Sequence, residues 1–184
     1  MKLAFAALTA ATLVTSGALA QASPPTPAPA PPPGPPSGCT AAQDRAFDFW
    51  VGSWDVTPTG AEKLVAHSLI ERLYAGCAIR ENWMPLKAGG DGGSLSSYVP
   101  EEKGWRQTWV DSSGARVDFK GGMAGDAMVL TGWWPNVIGP GKGALVRMTY
   151  TRLAGGAVRQ KGDTSIDQGK SWQPRFDFTY RPAN

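Results

Sequence analysis

The feature that most constrains this chain is a succession of short β-type runs between Trp50 and Arg181, broken by turn chemistry and never by a stretch of helical period long enough to cross over. The runs fall at about 50–57, 63–74, 77–84, 94–100, 105–111, 115–120, 126–134, 144–153, 157–163 and 172–181. Connections such as Ala75-Gly76, Asp111-Ser112-Ser113-Gly114 and Ala154-Gly155-Gly156 are short and join neighbours antiparallel. In the last run Trp172, Phe176, Phe178 and Tyr180 share one face, while Gln173, Arg175, Asp177, Thr179 and Arg181 share the other. One side is buried and one is wet. About ten such strands would expose long edges as an open sheet, so the expectation is an all-β, antiparallel up-and-down β-barrel. Alternation alone does not separate closure from stacking, and a two-sheet sandwich is the competing architecture. Thr40 with Gln43 fits a capping box that opens a short helix through about Phe47, placed to plug one end.

The 184 residues make one domain, preceded by two segments of different character. Lys2, the apolar stretch from Leu3 to Val14 and the small residues Ala18-Leu19-Ala20 read as a cleaved secretory signal over residues 1–20. An uncleaved anchor is the alternative, but Thr12, Thr15, Ser16 and Gly17 dilute a segment already short for a span, so no stable membrane insertion is expected after cleavage. Residues 21–37 hold SPPTPAPAPPPGPPS, whose prolines favour extended polyproline II and leave nothing to bury. It is read as a tether, or as a solvated linker with no partner; the barrel domain is then 38–184. The mature chain is expected in the periplasm or outside the cell. There the only two cysteines, Cys39 and Cys77, have one possible intramolecular pairing, closing a 38-residue loop. In the chain-entropy description that staple stabilises by about 4 kcal/mol at most.

Charge and residue inventory exclude several functions. Lys plus Arg number 18 against 15 Asp plus Glu, and without Lys2 the balance is +2, which is no nucleic-acid footprint. A single histidine, His67, leaves no imidazoles for zinc-type sites or for Ser/His and Cys/His relays, so no metal and no cofactor is expected. His67 itself reads as a rim or packed residue. Asp163-x-Ser165-x-Asp167 begins like a calcium loop, but Gly169 falls one place late and Pro174 stands where the bidentate Glu belongs. The octapeptide from Ser165 to Trp172 resembles a single Asp-box hairpin, read as a turn stabiliser with Trp172 anchoring the strand that follows.

The segment FDFWVGSWD, from Phe47 to Asp55, runs into a first strand carrying Gly-x-Trp at Gly52 and Trp54, and Arg181 ends the last strand. These features resemble the calycin superfamily of lipocalins, fatty-acid-binding proteins and nitrobindin-like barrels. The longer run FDFWVGSWDV followed by GCAIRENW looks still more like a bacterial exported family of unknown function within it. The resemblance covers about residues 44–181 and implies a closed barrel, with an Arg packed over the first-strand Trp, and a cavity for a small, largely apolar molecule. In that frame Gly52 gives room at a tight floor, Trp54 fills it and Arg181 stacks on the indole, worth about 0.5–2 kcal/mol. Two relatives are poor guides to the ligand. Tyr180 and Arg181 are adjacent and point to opposite faces, unlike the Arg-x-Tyr pair of fatty-acid-binding proteins. Nothing after His67 supplies the histidine by which nitrobindin-like barrels hold haem.

Carrying the inward parity of the last strand to the others gives an interior of Trp50, Trp54, Ile79, Glu81, Trp83, Tyr98, Trp105, Gln107, Trp109 and Phe119. With Phe176 and Phe178 the candidate ligand-binding set is Glu81, Trp83, Tyr98, Trp105, Gln107, Trp109, Phe119, Phe176 and Phe178. Aromatic faces suit a flat or hydrophobic ligand and the few polar groups could orient it. The same residues could equally fill a solid barrel. Glu81, between Ile79 and Trp83, should be partly dehydrated and need a partner, either a ligand or a structural cation such as Arg106 or one near Arg80. The glycine-rich loop at 88–93 and the segment 135–143 match no phosphate cradle and are expected at the barrel mouth. Three functions remain open: an exported carrier or sensor of a small hydrophobic or aromatic ligand, a packed interaction module of the cell envelope, or a small enzyme using Glu81 or Asp111.

Overall fold

Ten antiparallel strands follow one another in chain order: β1 (Gly52–Pro58), β2 (Ala66–Leu73), β3 (Ala78–Pro85), β4 (Gly92–Val99), β5 (Gly104–Asp111), β6 (Arg116–Ala124), β7 (Ala127–Trp134), β8 (Ala144–Arg152), β9 (Val158–Ser165) and β10 (Gln173–Pro182). The structure, a computed structural model, describes residues 38–183. The expected signal segment and proline-rich linker lie outside the described residues. Each strand pairs with its chain neighbours, and β1 also pairs antiparallel with β10, Val56 opposite Tyr180, so the sheet closes into an up-and-down barrel. Closure gives every strand two partners and removes the edges that a sandwich would leave.

The plug differs from the expected helix. Residues 42–47 form successive turns and Asp48–Trp50 one turn of 3-10 helix. Asp44, not Gln43, turns back on the segment, its carboxylate accepting from the Ala41 N–H at 3.1 Å. So short a stretch gains little from α-helical propagation, whereas the three-residue 3-10 repeat puts Phe47 and Trp50 on the same side. Their rings stack 4.9 Å apart. Both side chains are wholly buried. Phe47 also meets Trp105 and Tyr150 edge-on, and the Trp105 indole donates to the Gln43 carbonyl at 3.2 Å. Cys39 and Cys77 are joined, fastening the start of the plug to the β2–β3 turn.

The Gly-x-Trp motif closes on itself. The Trp54 indole folds back over Gly52 to donate to the Trp50 carbonyl at 2.9 Å. A Cβ on Gly52 would lie 3.1 Å from that ring, so glycine makes room for the indole itself rather than for another backbone. Arg181 does not stack on Trp54. It alternates with the inward Tyr180, points outward and donates to Thr57 Oγ1 at 2.8 Å. Tyr180 takes the expected place, meeting Trp54 edge-on with ring centroids 6.3 Å apart. Among the described residues the guanidinium–ring stacks are Arg147 on Trp172 and Arg152 on Phe49.

Trp172 is likewise on the other side from its sequence parity. Pairing of β10 with β9 slips between Pro174 and Phe176, where Pro174 faces Asp163 and Phe176 faces Gly162. One extra residue inverts the alternation. Phe176, Phe178 and Tyr180 stay inside, while Trp172 lies outside under Arg147. The Asp-box reading of this hairpin matches its contacts. Asp167 accepts from the Ser165 hydroxyl and from the Ser171 backbone and hydroxyl, and the Trp172 indole donates to the Gly169 carbonyl.

Candidate ligand-binding cavity

Inward residues along each strand fall into tiers because successive inward positions are two residues, about 6–7 Å, apart. On β5 they are Trp105, Gln107 and Trp109; on β3 they are Ile79, Glu81 and Trp83. The lowest tier, with Phe47, Trp50 and Trp54 among its buried residues, is solid aromatic packing. The middle tier is polar. The upper tier surrounds a cavity of about 230 Å³ that reaches from Tyr150, Gln160 and Tyr180 at its base to Gly90 and Asp111 at its rim.

The middle tier consists of two side-chain chains. In the first, Gln107 Nε2 donates to Ser96 Oγ at 3.1 Å and to Ser94 Oγ at 3.4 Å. The Ser94 hydroxyl donates to Glu81 Oε2 at 3.0 Å and the Ser68 hydroxyl to Oε1 at 3.4 Å. In the second, the Tyr180 hydroxyl donates to Gln160 Oε1, and Gln160 Nε2 donates to the Tyr150 hydroxyl at 3.1 Å. Satisfied networks of this kind let polar groups lie deep in a barrel without orphaned donors.

Glu81 is 5% exposed, and among the described residues its carboxylate has the two serine hydroxyls as its hydrogen-bond partners. Burial pushes its carboxyl up to about 7, against the lowering effect of Ser94 and Ser68. The expected pairing with a structural cation does not occur. Arg80 and Arg106 alternate with Glu81 and Gln107 and so face outward, where they hold Glu71 and Glu102. Burial and the charge of Glu81 push the Tyr150 phenol upward, and the same influences raise Tyr180. Asp111 behaves oppositely. Partial burial raises it, but hydrogen bonds from Ser113, Trp109 and Ala115 outweigh this and hold it below the ordinary carboxylate range. It organises the β5–β6 turn and orients the Trp109 indole, which donates to it at 3.0 Å. Of the two carboxylates considered for catalysis, only Glu81 has the raised pKa that a proton-transferring group would need.

The wall above this tier is aromatic. Phe176 and Phe178 stack 5.3 Å apart, Phe178 meets Trp83 at 5.7 Å, and Trp109 meets Trp134 at 6.4 Å. Phe176 lies over Gly162, where a Cβ would come within 2.3 Å of its ring. An inward glycine is therefore what gives that ring its place. Gly90 brings the glycine-rich loop to the rim, its N–H donating to Ser112 Oγ at 3.2 Å. Residues Pro135, Asn136 and Val137 of the second long connection border a cleft beside Asp111 and Phe176, also at this end.

Six of the nine sequence candidates line the cavity: Glu81, Trp83, Gln107, Trp109, Phe176 and Phe178. The other three lie elsewhere in the interior. Trp105 is in the packed floor, Tyr98 rests against it with centroids 6.4 Å apart, and Phe119 is fully buried edge-on to Trp134. A barrel filled throughout describes the lower tier only. Sequence reasoning left Trp134, Met148, Tyr150 and Gln160 out of the lining. The signal for three of them was present: Ala144, Val146, Met148 and Tyr150 alternate along β8, and Gln160 falls between Val158 and Gly162 on β9. His67 lies outside on the sheet, its Nδ1 2.8 Å from Asp55 Oδ1.

The ten-strand, all-antiparallel closed barrel is consistent with the calycin-like architecture that Gly52, Trp54 and Arg181 implied, although Arg181 serves it differently. No protein-family model and no curated protein sequence matches the chain.

Proposed function

We propose that this protein is an exported, calycin-like carrier or sensor that holds a small, largely apolar or aromatic molecule in the upper half of its barrel. The observation that carries this reading is the cavity of about 230 Å³ bounded by Trp83, Trp109, Trp134, Phe176 and Phe178 above a satisfied polar tier. Ligand sites are commonly of this make-up, apolar walls with a few placed polar groups, and a volume below the roughly 300–1,000 Å³ of drug-sized pockets points to a small ligand. The Cys39–Cys77 disulfide supports export to an oxidising compartment.

Titration with neutral aromatic probes such as naphthalene, followed by tryptophan emission, tests the reading because the wall is rich in indoles. Saturable binding is expected, weakened about tenfold by Trp109→Ala through loss of ring contact. No saturable response across chemically diverse probes would overturn it. Native mass spectrometry of protein released gently from its own compartment should show a co-purifying mass.

A further inference from the structure

The charges facing the cavity are of one sign. Glu81 at its base and Asp111 at its rim are carboxylates, and no Lys, Arg or His contributes to the wall among the described residues. The chain does not lack cations. Arg80, Arg106, Arg147 and Arg159 all sit on strands that help form the barrel, and each is turned outward onto a carboxylate, Glu71, Glu102, Asp163 and Asp177 respectively. Alternation keeps every one of them from Glu81.

Glu81 is thus a buried carboxylate with two hydroxyl donors and no counter-charge. Such a group is unfavourable as an anion unless a cation reaches it. The rings above it present π faces, to which a desolvated cation is also attracted. An anionic ligand would meet two carboxylates there, and a purely apolar one would leave Glu81 without a counter-charge. We propose that the ligand is a small organic monocation, an apolar or aromatic body bearing one protonated amine, with the ammonium seated on Glu81 and the body against Trp83, Trp109 and Phe178. This rests on the reading of the upper barrel as a ligand cavity and adds the charge of its occupant.

The proposal carries a proton signature. The groups facing Glu81 are Ser68 from β2, Ser94 from β4, Gln107 from β5, Tyr150 from β8 and Tyr180 from β10. Of these only the two tyrosines titrate, and both are held neutral across the ordinary range. In the empty barrel the Glu81 carboxyl is largely protonated below pH 7. Seating an ammonium on it favours the carboxylate, so at about pH 6 uptake of the amine should release up to about one proton to solvent.

Three probes of like size separate the possibilities: phenethylamine, phenethyl alcohol and hydrocinnamate, carrying positive, zero and negative charge. Calorimetry and tryptophan emission on the wild-type protein at about pH 8 should rank the amine about tenfold or more above the alcohol, with hydrocinnamate weakest. Glu81→Gln should remove the amine's advantage over the alcohol. Proton release at about pH 6, read from binding enthalpies in buffers of different ionisation enthalpy, should accompany the amine and not the alcohol. It needs no variant and keeps the test decisive if Glu81→Gln folds poorly. Equal binding of amine and alcohol, a preference for hydrocinnamate, or amine uptake without proton release would each overturn the cationic assignment while leaving the cavity reading intact. Failure of all three probes to bind would overturn both.

Discussion

The two ends of this barrel are made from the same strands and the same kinds of residue, yet one is solid and the other hollow. On β5, Trp105 is buried in the floor and Trp109 borders open space, four residues away on the same face. The difference lies in what fills the end. At the floor, Phe47 and Trp50 enter on the plug and complete the packing with Trp105 and Tyr150. At the mouth only the connecting loops approach, and the tryptophans line a cavity instead of closing on one another. Aromatic content thus does not decide between core and binding site; the presence of a filling segment does.

If that contrast is right, truncating an aromatic should unfold one end and only empty the other. The largest effect is expected for Trp50→Ala, which removes a wholly buried indole from the floor. It should cost about 3–5 kcal/mol by denaturant unfolding. Trp109→Ala should cost clearly less, because part of its surface already faces the cavity, and should register chiefly in probe affinity. Comparable stability losses at both sites would erase the distinction between the two ends.

The staple sharpens the same point, since it fastens only the plugged end. Replacing Cys39 and Cys77 together by Ser releases a 38-residue loop and should lower stability by about 4 kcal/mol at most. Because the disulfide does not touch the cavity, probe affinity measured well below the new melting temperature should be retained. Lost binding in a folded double variant would mean that the floor and the cavity are coupled.

Acid and base separate the interior from the rim. The Glu81 carboxyl stands near 7 in the fold against an ordinary value of 4.5, so the native state holds a proton that the unfolded chain has released. Stability should therefore fall as pH rises from about 4.5 to about 7, by about 3 kcal/mol at most, and stay lowered above that. Glu81→Gln should flatten this slope in urea midpoints taken across the range. An unchanged slope would show that Glu81 is not the group responsible. The smallest effect belongs to Asp167 in the β9–β10 turn, which hydrogen bonds from Ser171 and Ser165 hold down to about 2. Its sign is opposite. Its stabilisation is present above the ordinary aspartate value and is lost as pH falls toward about 2, so Asp167→Asn should lower urea midpoints modestly above that value and converge with the wild type toward pH 2.

Much of the fold was legible because a strand's side-chain period is local. The ten runs and the inward positions of β3 and β5 follow from counting by two, which holds as long as no residue is inserted, and the cysteine pairing follows from there being two cysteines and one way to join them. The site was legible to the same depth. Glu81, Trp83, Gln107 and Trp109 share the parity that puts them in the wall. Where counting failed, the cause was a departure from regular pairing or a partner distant in sequence. The slip between Pro174 and Phe176 reversed Trp172, and the plug's turns replaced a helix because ring stacking against the floor outweighed propagation over so few residues.

The sequence by itself determined about ten hairpin-linked antiparallel strands with one apolar face, for which closure and stacking both stood open, and it determined that the interior would be aromatic with a carboxylate in its midst. Only the tertiary structure decided which aromatic tier is filled, that Tyr180 rather than Arg181 meets Trp54, and that Glu81 has serines but no cation beside it. Those outcomes depend on how strands far apart in the chain are brought to the same height around the cylinder. That height is set by the register of every pair at once, a property of the closed barrel that no single strand carries.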